Sequence, residues 1–286
     1  MWLGGCTRRC APGWAAPRYA RPQGRPGLRA PSEWLPLLVE LADRADEIAL
    51  RFFRTRDLPV DEKSDHSPVT PGDREIEALA HRLVQTRHPE LGILGEEEGE
   101  APGAGMARLI IDPIDGTRNF VRGIPIFATL LAIETRGEVV AGVVSAPALR
   151  ARWHAARGAG AFRDGRPIRV SGVEDLGAAL LLHANLGRGE PAPPPGLMTL
   201  ARQVERTRGF GDFYQHMLVA EGAGEIAIDP VMHPWDAAAL QVVVEEAGGR
   251  ATTLGGERSI YAGSLVTSNR VLHQRVLDAL REGPRS

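Results

Sequence analysis

Leu37, Leu38, Leu41, Ala45, Ile48, Phe52 and Phe53 recur at the spacing that lines one face of a helix, and Pro36 is tolerated in its first turn. A second helix is predicted over residues 73–86, where Ile76, Leu79, Ala80 and Leu83 share a face. The period then shortens. Gly92-Ile93-Leu94-Gly95 reads as a short buried strand that runs directly into Glu96-Glu97-Glu98. Residues 127–134, 139–145 and 152–156 are strand-like, and Gly137 marks a turn that predicts antiparallel pairing of the first two. Residues 187–196, with Pro191, Pro193, Pro194 and Pro195, predict an exposed loop. Beyond it, helices are expected over 214–223 and 237–247, alternating with strands around 226–228 and 264–267. No internal repeat is present.

The first 31 residues depart from this pattern. They hold Arg8, Arg9, Arg18, Arg21, Arg25 and Arg29, several prolines and no acid, so disorder is the expectation. A transit peptide is the alternative, although scarce Ser and abundant Pro and Gly argue against an amphipathic targeting helix; an over-extended start codon gives the same composition. The 286 residues suffice for one large domain or two moderate ones. The expected division is an N-terminal α+β half over 32–182 and a C-terminal α/β half over 183–286. A net charge of −2 gives no global field for nucleic acid or an acidic membrane, and no apolar run has the length of a membrane span. Cys6 and Cys10 are the two cysteines, which excludes a disulfide framework for the fold and fits a reducing, cytoplasmic setting. A zinc site there lacks nearby ligands to complete it.

Four acidic positions, each closing an apolar run beside a turn or helix start, carry the candidate chemistry. They are Asp65 in Lys63-Ser64-Asp65-His66-Ser67-Pro68-Val69-Thr70, Glu96, the pair Asp112 and Asp115, and Asp236 in His233-Pro234-Trp235-Asp236. The pair lies in Ile110-Ile111-Asp112-Pro113-Ile114-Asp115-Gly116-Thr117-Arg118-Asn119-Phe120. Two carboxylates on one short turn repel unless a cation sits between them, and the N–H pair of the Gly-Thr step is a natural phosphate seat. Carboxylates without cysteines or suitably spaced histidines favour a hard divalent ion, hence Mg2+ or Mn2+ rather than zinc. No Walker loop or Gly-x-Ser-x-Gly elbow occurs, which counts against P-loop and serine-esterase chemistry. Each residue also has a plain structural role open to it. Glu96-Glu97-Glu98 would be a solvated charge run, Asp236 a helix cap, Asp65 a turn residue, Thr117 a turn hydroxyl and Trp235 core.

Taken in order, Gly95-Glu96-Glu97, Asp112 to Phe120 and Trp235 to Ala239 resemble the motifs of the inositol-monophosphatase superfamily of Mg2+-dependent, lithium-sensitive phosphomonoesterases. Lys63 to Thr70, with Asp73 after it, also fits, and the resemblance covers roughly residues 33–280. It implies a layered α/β fold, an αβαβα sandwich, and a homodimer. It implies that Glu96, Asp112 and the Ile114 carbonyl hold one metal, and that Asp112, Asp115 and Asp236 hold a second. A third, weaker ion would lean on Glu96. Asp65 and Thr117 would orient the attacking water, while the Gly116 and Thr117 N–H groups grip phosphate. Two cations about 3.5–4 Å apart can clamp the attacking and leaving oxygens of an in-line displacement, so no covalent phosphoenzyme is needed. With Asp236 in one half and the other ligands in the other, the site is expected at their interface.

Finer resemblance bears on the substrate. Asn119 to Pro125, Val144 to Trp153, Ala156 to Phe162 and Arg208 to Tyr214 are similar to the histidinol-phosphatase branch. That implies hydrolysis of L-histidinol phosphate, a small-molecule ester; an inositol-1-monophosphatase or a broader sugar- or nucleotide-phosphatase is the alternative. A silent RNA-binding homologue is the rival from another class, and the full set of metal carboxylates counts against it. Histidinol phosphate carries an ammonium and an imidazole, so its site should present carboxylates away from the phosphate. Asp212 and Asp229 are the candidates, with Trp235 as a wall; their plain roles are a helix cap and a turn. His183, Asn185 and Arg188 are expected near the cleft, with no assigned role.

Overall fold

A computed structural model describes residues 29–64, 66–187 and 192–282. Most of the basic tail, Cys6, Cys10, Asp65 and Arg188 lie outside the described residues. Helix α1 (Leu35–Phe52) carries Pro36 in its first turn and buries Leu37, Leu38, Leu41, Ala42, Ala45 and Ala49 along one side, as the periodicity predicts. It packs on α2 (Pro71–Arg87), which starts at a reciprocal cap two residues ahead of the expected boundary. There Thr70 Oγ1 accepts from the Gly72 N–H at 3.1 Å, and Asp73 accepts from the Thr70 N–H at 2.8 Å.

A two-stranded ladder of β1 (Asp61–Glu62) and β2 (Pro68–Val69) precedes α2. The large sheet comprises β3 (Gly92–Gly95), β4 (Glu100–Ala101), β5 (Ala107–Asp115), β6 (Ala128–Thr135), β7 (Glu138–Ala146), β8 (Ala151–Ala156), β9 (Gly160–Arg163) and β10 (Arg166–Ile168). Its spatial order is β10-β9-β8-β7-β6-β5-β3-β4, with the short helix α3 (Thr117–Val121) between β5 and β6. β6 and β7 pair antiparallel across Gly137, as expected. The second sheet holds β11 (Leu180–His183), β12 (Arg206–Arg208), β13 (Ile226–Asp229), β14 (Arg250–Thr252) and β15 (Leu265–Ser268), in the order β12-β11-β13-β15-β14. Helices α4 (Leu197–Ala201), α5 (Asp212–Ala220), α6 (Pro234–Glu246) and α7 (His273–Arg281) accompany it.

Strand alternation sorts the core into layers. Leu109 and Ile111 of β5 join the cluster under α1 and α2, whereas Ile110 joins Leu130 and Ala132 of β6 on the opposite face. That face shares its cluster with α5, α6, and Leu182 and Ala227 of the second sheet. Leu181, Ile226, Ile228 and Val266 pack the other way, with Leu197 and Leu200 of α4 and Val276, Leu277 and Leu280 of α7. The stacking is therefore αβαβα. α6 is buried continuously from Ala237 to Val244, because a helix between two sheets has no side left for water.

The chain passes from one sheet to the other between Ile168 and Leu180, so the division expected at 182/183 cuts through β11. No helix among the described residues is long and apolar enough to cross a membrane.

Candidate metal centre and cleft

β3 and β5 run parallel as neighbours, with Gly95 paired to Ile111, so their ends deliver Glu96 and Asp112 side by side. In a regular strand, residues three apart face opposite sides. The β5–β6 register shifts between Asp112 and Asp115, and this irregularity lets both carboxylates reach one place. Asp236 arrives from the first turn of α6. Its Oδ2 accepts from the His233 N–H at 2.7 Å, so it is the inner partner of the helix cap and His233 is the N-cap. Asp112, Asp115 and Asp236 each offer an oxygen within 4.8 Å of the others.

The cluster is electrostatically expensive. Burial holds Asp112 well above the usual carboxylate range, and the charges of Glu96, Asp115 and Asp236 push it further. Burial likewise raises Asp115, helped by Asp212 and Asp236 and opposed by the Phe213 N–H, which donates to its Oδ2 at 2.7 Å. Burial pushes Asp236 up to about 7 against the His233 N–H, with Glu96 adding repulsion. Asp112 Oδ1 is enclosed and accepts no hydrogen bond. Buried, mutually repelling oxygens with an orphaned lone pair are the donor set of a hard divalent cation, so the residues present fit Mg2+ or Mn2+. Lys63 stands on the flank, with Nζ 2.7 Å from Glu96 and 2.6 Å from Glu97. Burial opposes its charge, but hydrogen bonds to the two carboxylates hold it above its ordinary value.

Gly116 follows at φ 82, and a Cβ there would come within 2.9 Å of the Ile126 carbonyl oxygen. The Thr117 hydroxyl donates to the Ile114 carbonyl at 2.8 Å, and that oxygen keeps a second lone pair. A cleft of about 880 Å³ is lined by the acidic cluster, Ile114, Gly116 and Thr117, and takes in Asp212, Asp229, His183 and Asn185.

Asp212 opens α5 at φ 49 and accepts from Asn119 Nδ2 at 2.8 Å, so it is not the helix cap considered for it. The carboxylate that caps the first turn of α5 is Asp115, reaching across from the large sheet. Asp229 ends β13 and accepts from Gln215 Nε2 at 3.3 Å. Trp235, expected as a wall, does not line the cleft. It stacks on His233 with centroids 5.0 Å apart and packs against the core between the sheets. Neighbouring helix residues diverge by about 100°, so Asp236 and Trp235 cannot share a direction. One acid escapes the motif reading, Glu77 of α2; like Asp73, it is pushed up to about 7 chiefly by burial. Its spacing with Ile76 and Ala80 puts it on the apolar face, which is the signal that marks it.

A family model for the inositol monophosphatase family matches residues 30–285. The chain belongs to that family. Histidinol-phosphatase of Mycobacterium tuberculosis is 46% identical over 255 residues, covering 87% of this chain and 98% of that protein. Inositol-1-monophosphatase of Rhizobium meliloti is 34% identical over 260 residues, covering 88% and 96%. Among solved structures, the extragenic suppressor protein suhB of Bartonella henselae matches with a TM-score of 0.82 at 30% identity, covering 88% of this chain and 99% of its own. The five-layer stack is thus the architecture of the inositol monophosphatase family, whose metal dependence agrees with the acidic cluster found here.

Proposed function

We infer that the protein is a phosphatase that hydrolyses L-histidinol phosphate to L-histidinol and phosphate with Mg2+. The observation that carries the substrate is the 46% identity to a histidinol-phosphatase, against 34% to an inositol-1-monophosphatase over a similar span. Glu96, Asp112, Asp115, Asp236 and the Ile114 carbonyl would hold two or three Mg2+ ions, with Mn2+ as a substitute. Bound there, the metal supplies charge neutralisation for the phosphoryl oxygens and makes water acidic enough to attack.

The chain's own groups do the rest. The Gly116 and Thr117 N–H groups hold the phosphate. The Thr117 hydroxyl, fixed by its bond to the Ile114 carbonyl, orients the water, with Glu96 and Asp65 as the accompanying carboxylates. The water oxygen bonds to phosphorus as the ester P–O bond breaks, its proton passes to a carboxylate, and the leaving alkoxide takes up a proton from a second water in the cleft. The same reading takes the working form to be a cytoplasmic homodimer, checked by sedimentation equilibrium.

Asp212 and Asp229 face the ammonium and imidazole of the substrate in this reading. Purified protein is expected to show a kcat/KM for L-histidinol phosphate roughly 10²-fold above those for inositol 1-phosphate and adenosine 3′,5′-bisphosphate. A preference for inositol phosphate ends the substrate assignment and leaves the phosphatase chemistry standing. Asp212→Asn keeps an oxygen for Asn119 but loses the charge, so KM for histidinol phosphate should rise about tenfold, or about 1.4 kcal/mol, with kcat within a few-fold. An unchanged KM removes Asp212 from recognition.

A further inference from the structure

Glu77 is a charged residue placed where the helix pattern demands an apolar one. It is fully buried, on the face of α2 that also carries Ile76, Ala80, Leu83 and Val84. A carboxylate in such a place is strongly unfavourable unless its oxygens are satisfied. They are satisfied by backbone: Oε2 accepts from the Glu97 N–H at 2.9 Å and Oε1 from the Glu98 N–H at 2.8 Å. These two amides immediately follow Glu96. The approach is close enough that a Cβ on Gly95 would overlap Glu77 Oε1, so only glycine fits ahead of Glu96 while Glu77 stays in place. The Gly95 N–H donates to the Gly99 carbonyl at 2.9 Å and closes the turn.

The turn is thereby pinned on both sides of Glu96, at Gly95 by close approach and at Glu97 and Glu98 by hydrogen bonds. We propose that Glu77 is a positioning residue that aims Glu96 at Asp112 and so sets the affinity of the centre for its divalent ion. The proposal rests on the metal reading above. Groups that orient a ligand from behind it are typically worth about 10–100-fold in metal affinity. Glutamine cannot replace Glu77, because its NH2 would oppose one of the two N–H donors.

The test is Mn2+ binding to the full-length protein, followed by electron paramagnetic resonance, alongside activity at saturating metal. Glu77→Gln is expected to raise the Mn2+ Kd at least about tenfold while kcat at saturating metal stays within a few-fold. Glu225→Gln serves as the comparison, since Glu225 is also buried and accepts from a backbone amide, that of Leu180 at 2.7 Å, in the second sheet. It should lower the melting temperature and leave Mn2+ affinity unchanged. Should Glu77→Gln not fold, Gly95→Ala displaces the same carboxylate and is expected to raise the Kd likewise. Unchanged affinity in a folded variant, or an equal loss in Glu225→Gln, overturns the proposal alone. A parent protein that takes up no Mn2+ overturns the metal reading and the proposal with it.

Discussion

Asp115→Asn is expected to yield a folded protein whose kcat falls by about 10³-fold or more. Asp115 combines two tasks in one side chain: Oδ2 caps α5 through the Phe213 N–H at 2.7 Å, and the carboxylate completes the trio with Asp112 and Asp236. An asparagine can do one of these. If its oxygen caps the helix, its NH2 points into the metal centre; if the oxygen faces the centre, the NH2 opposes the Phe213 N–H. Either way a negative charge is lost. In chelator the sign reverses for stability, since removing one of several buried, repelling carboxylates should raise the melting temperature of the metal-free protein. Steady-state kinetics over a Mg2+ titration and melts in chelator check both halves. Near-normal turnover would refute the assignment of Asp115 to the metal.

The metal-free protein should lose stability as pH rises from about 6.5 to 8, on the order of 2 kcal/mol, and saturating Mg2+ should abolish the part of that loss due to Asp112, Asp115 and Asp236. The groups responsible are Asp73, Glu77 and Asp236, each pushed up to about 7, and Asp112 and Asp115, which burial also raises well above the usual carboxylate range. A raised acid keeps its proton in the folded state where the unfolded chain has released it. Raising the pH towards its folded pKa therefore favours the unfolded chain, and the loss levels off above that pKa. Below about 6.5 buried histidines act in the opposite sense. Burial lowers His216 to about 3 and His154 and His273 to about 4, so acid protonates them in the unfolded chain first and costs stability as pH falls. Melts in chelator and in Mg2+ across this range measure the difference. A metal-free profile that is flat or rises towards pH 8 contradicts it.

Elements with long periods are legible in the chain, as α1, α2, β6 and β7 illustrate. Short ones are not. β12 and β14 have three residues each, lie at the two edges of their sheet, and carry exposed arginines; three residues hold no alternation, and the neighbouring strand supplies the ladder. α7 is different, because His273, Val276, Leu277 and Leu280 do follow helical spacing, although over nine residues. At the site, Glu96, Asp112, Asp115 and Asp236 are readable as acids that close apolar runs, and they converge in space. The direction of Trp235 is not readable, since a neighbour on the same helix turn fixes it. The helix pattern marks Glu77, but its partners are hidden, because they are backbone amides twenty residues downstream.

α6 lies between the two sheets and carries Asp236, while Asp112 and Asp115 stand on the large sheet beneath it. Neither sheet can dry its inner surface without that helix, so a half-assembled chain exposes a broad greasy slab and holds no complete ligand set. Cation uptake thus reports the finished tertiary assembly, and a fragment ending before residue 234 should neither fold alone nor capture the ion.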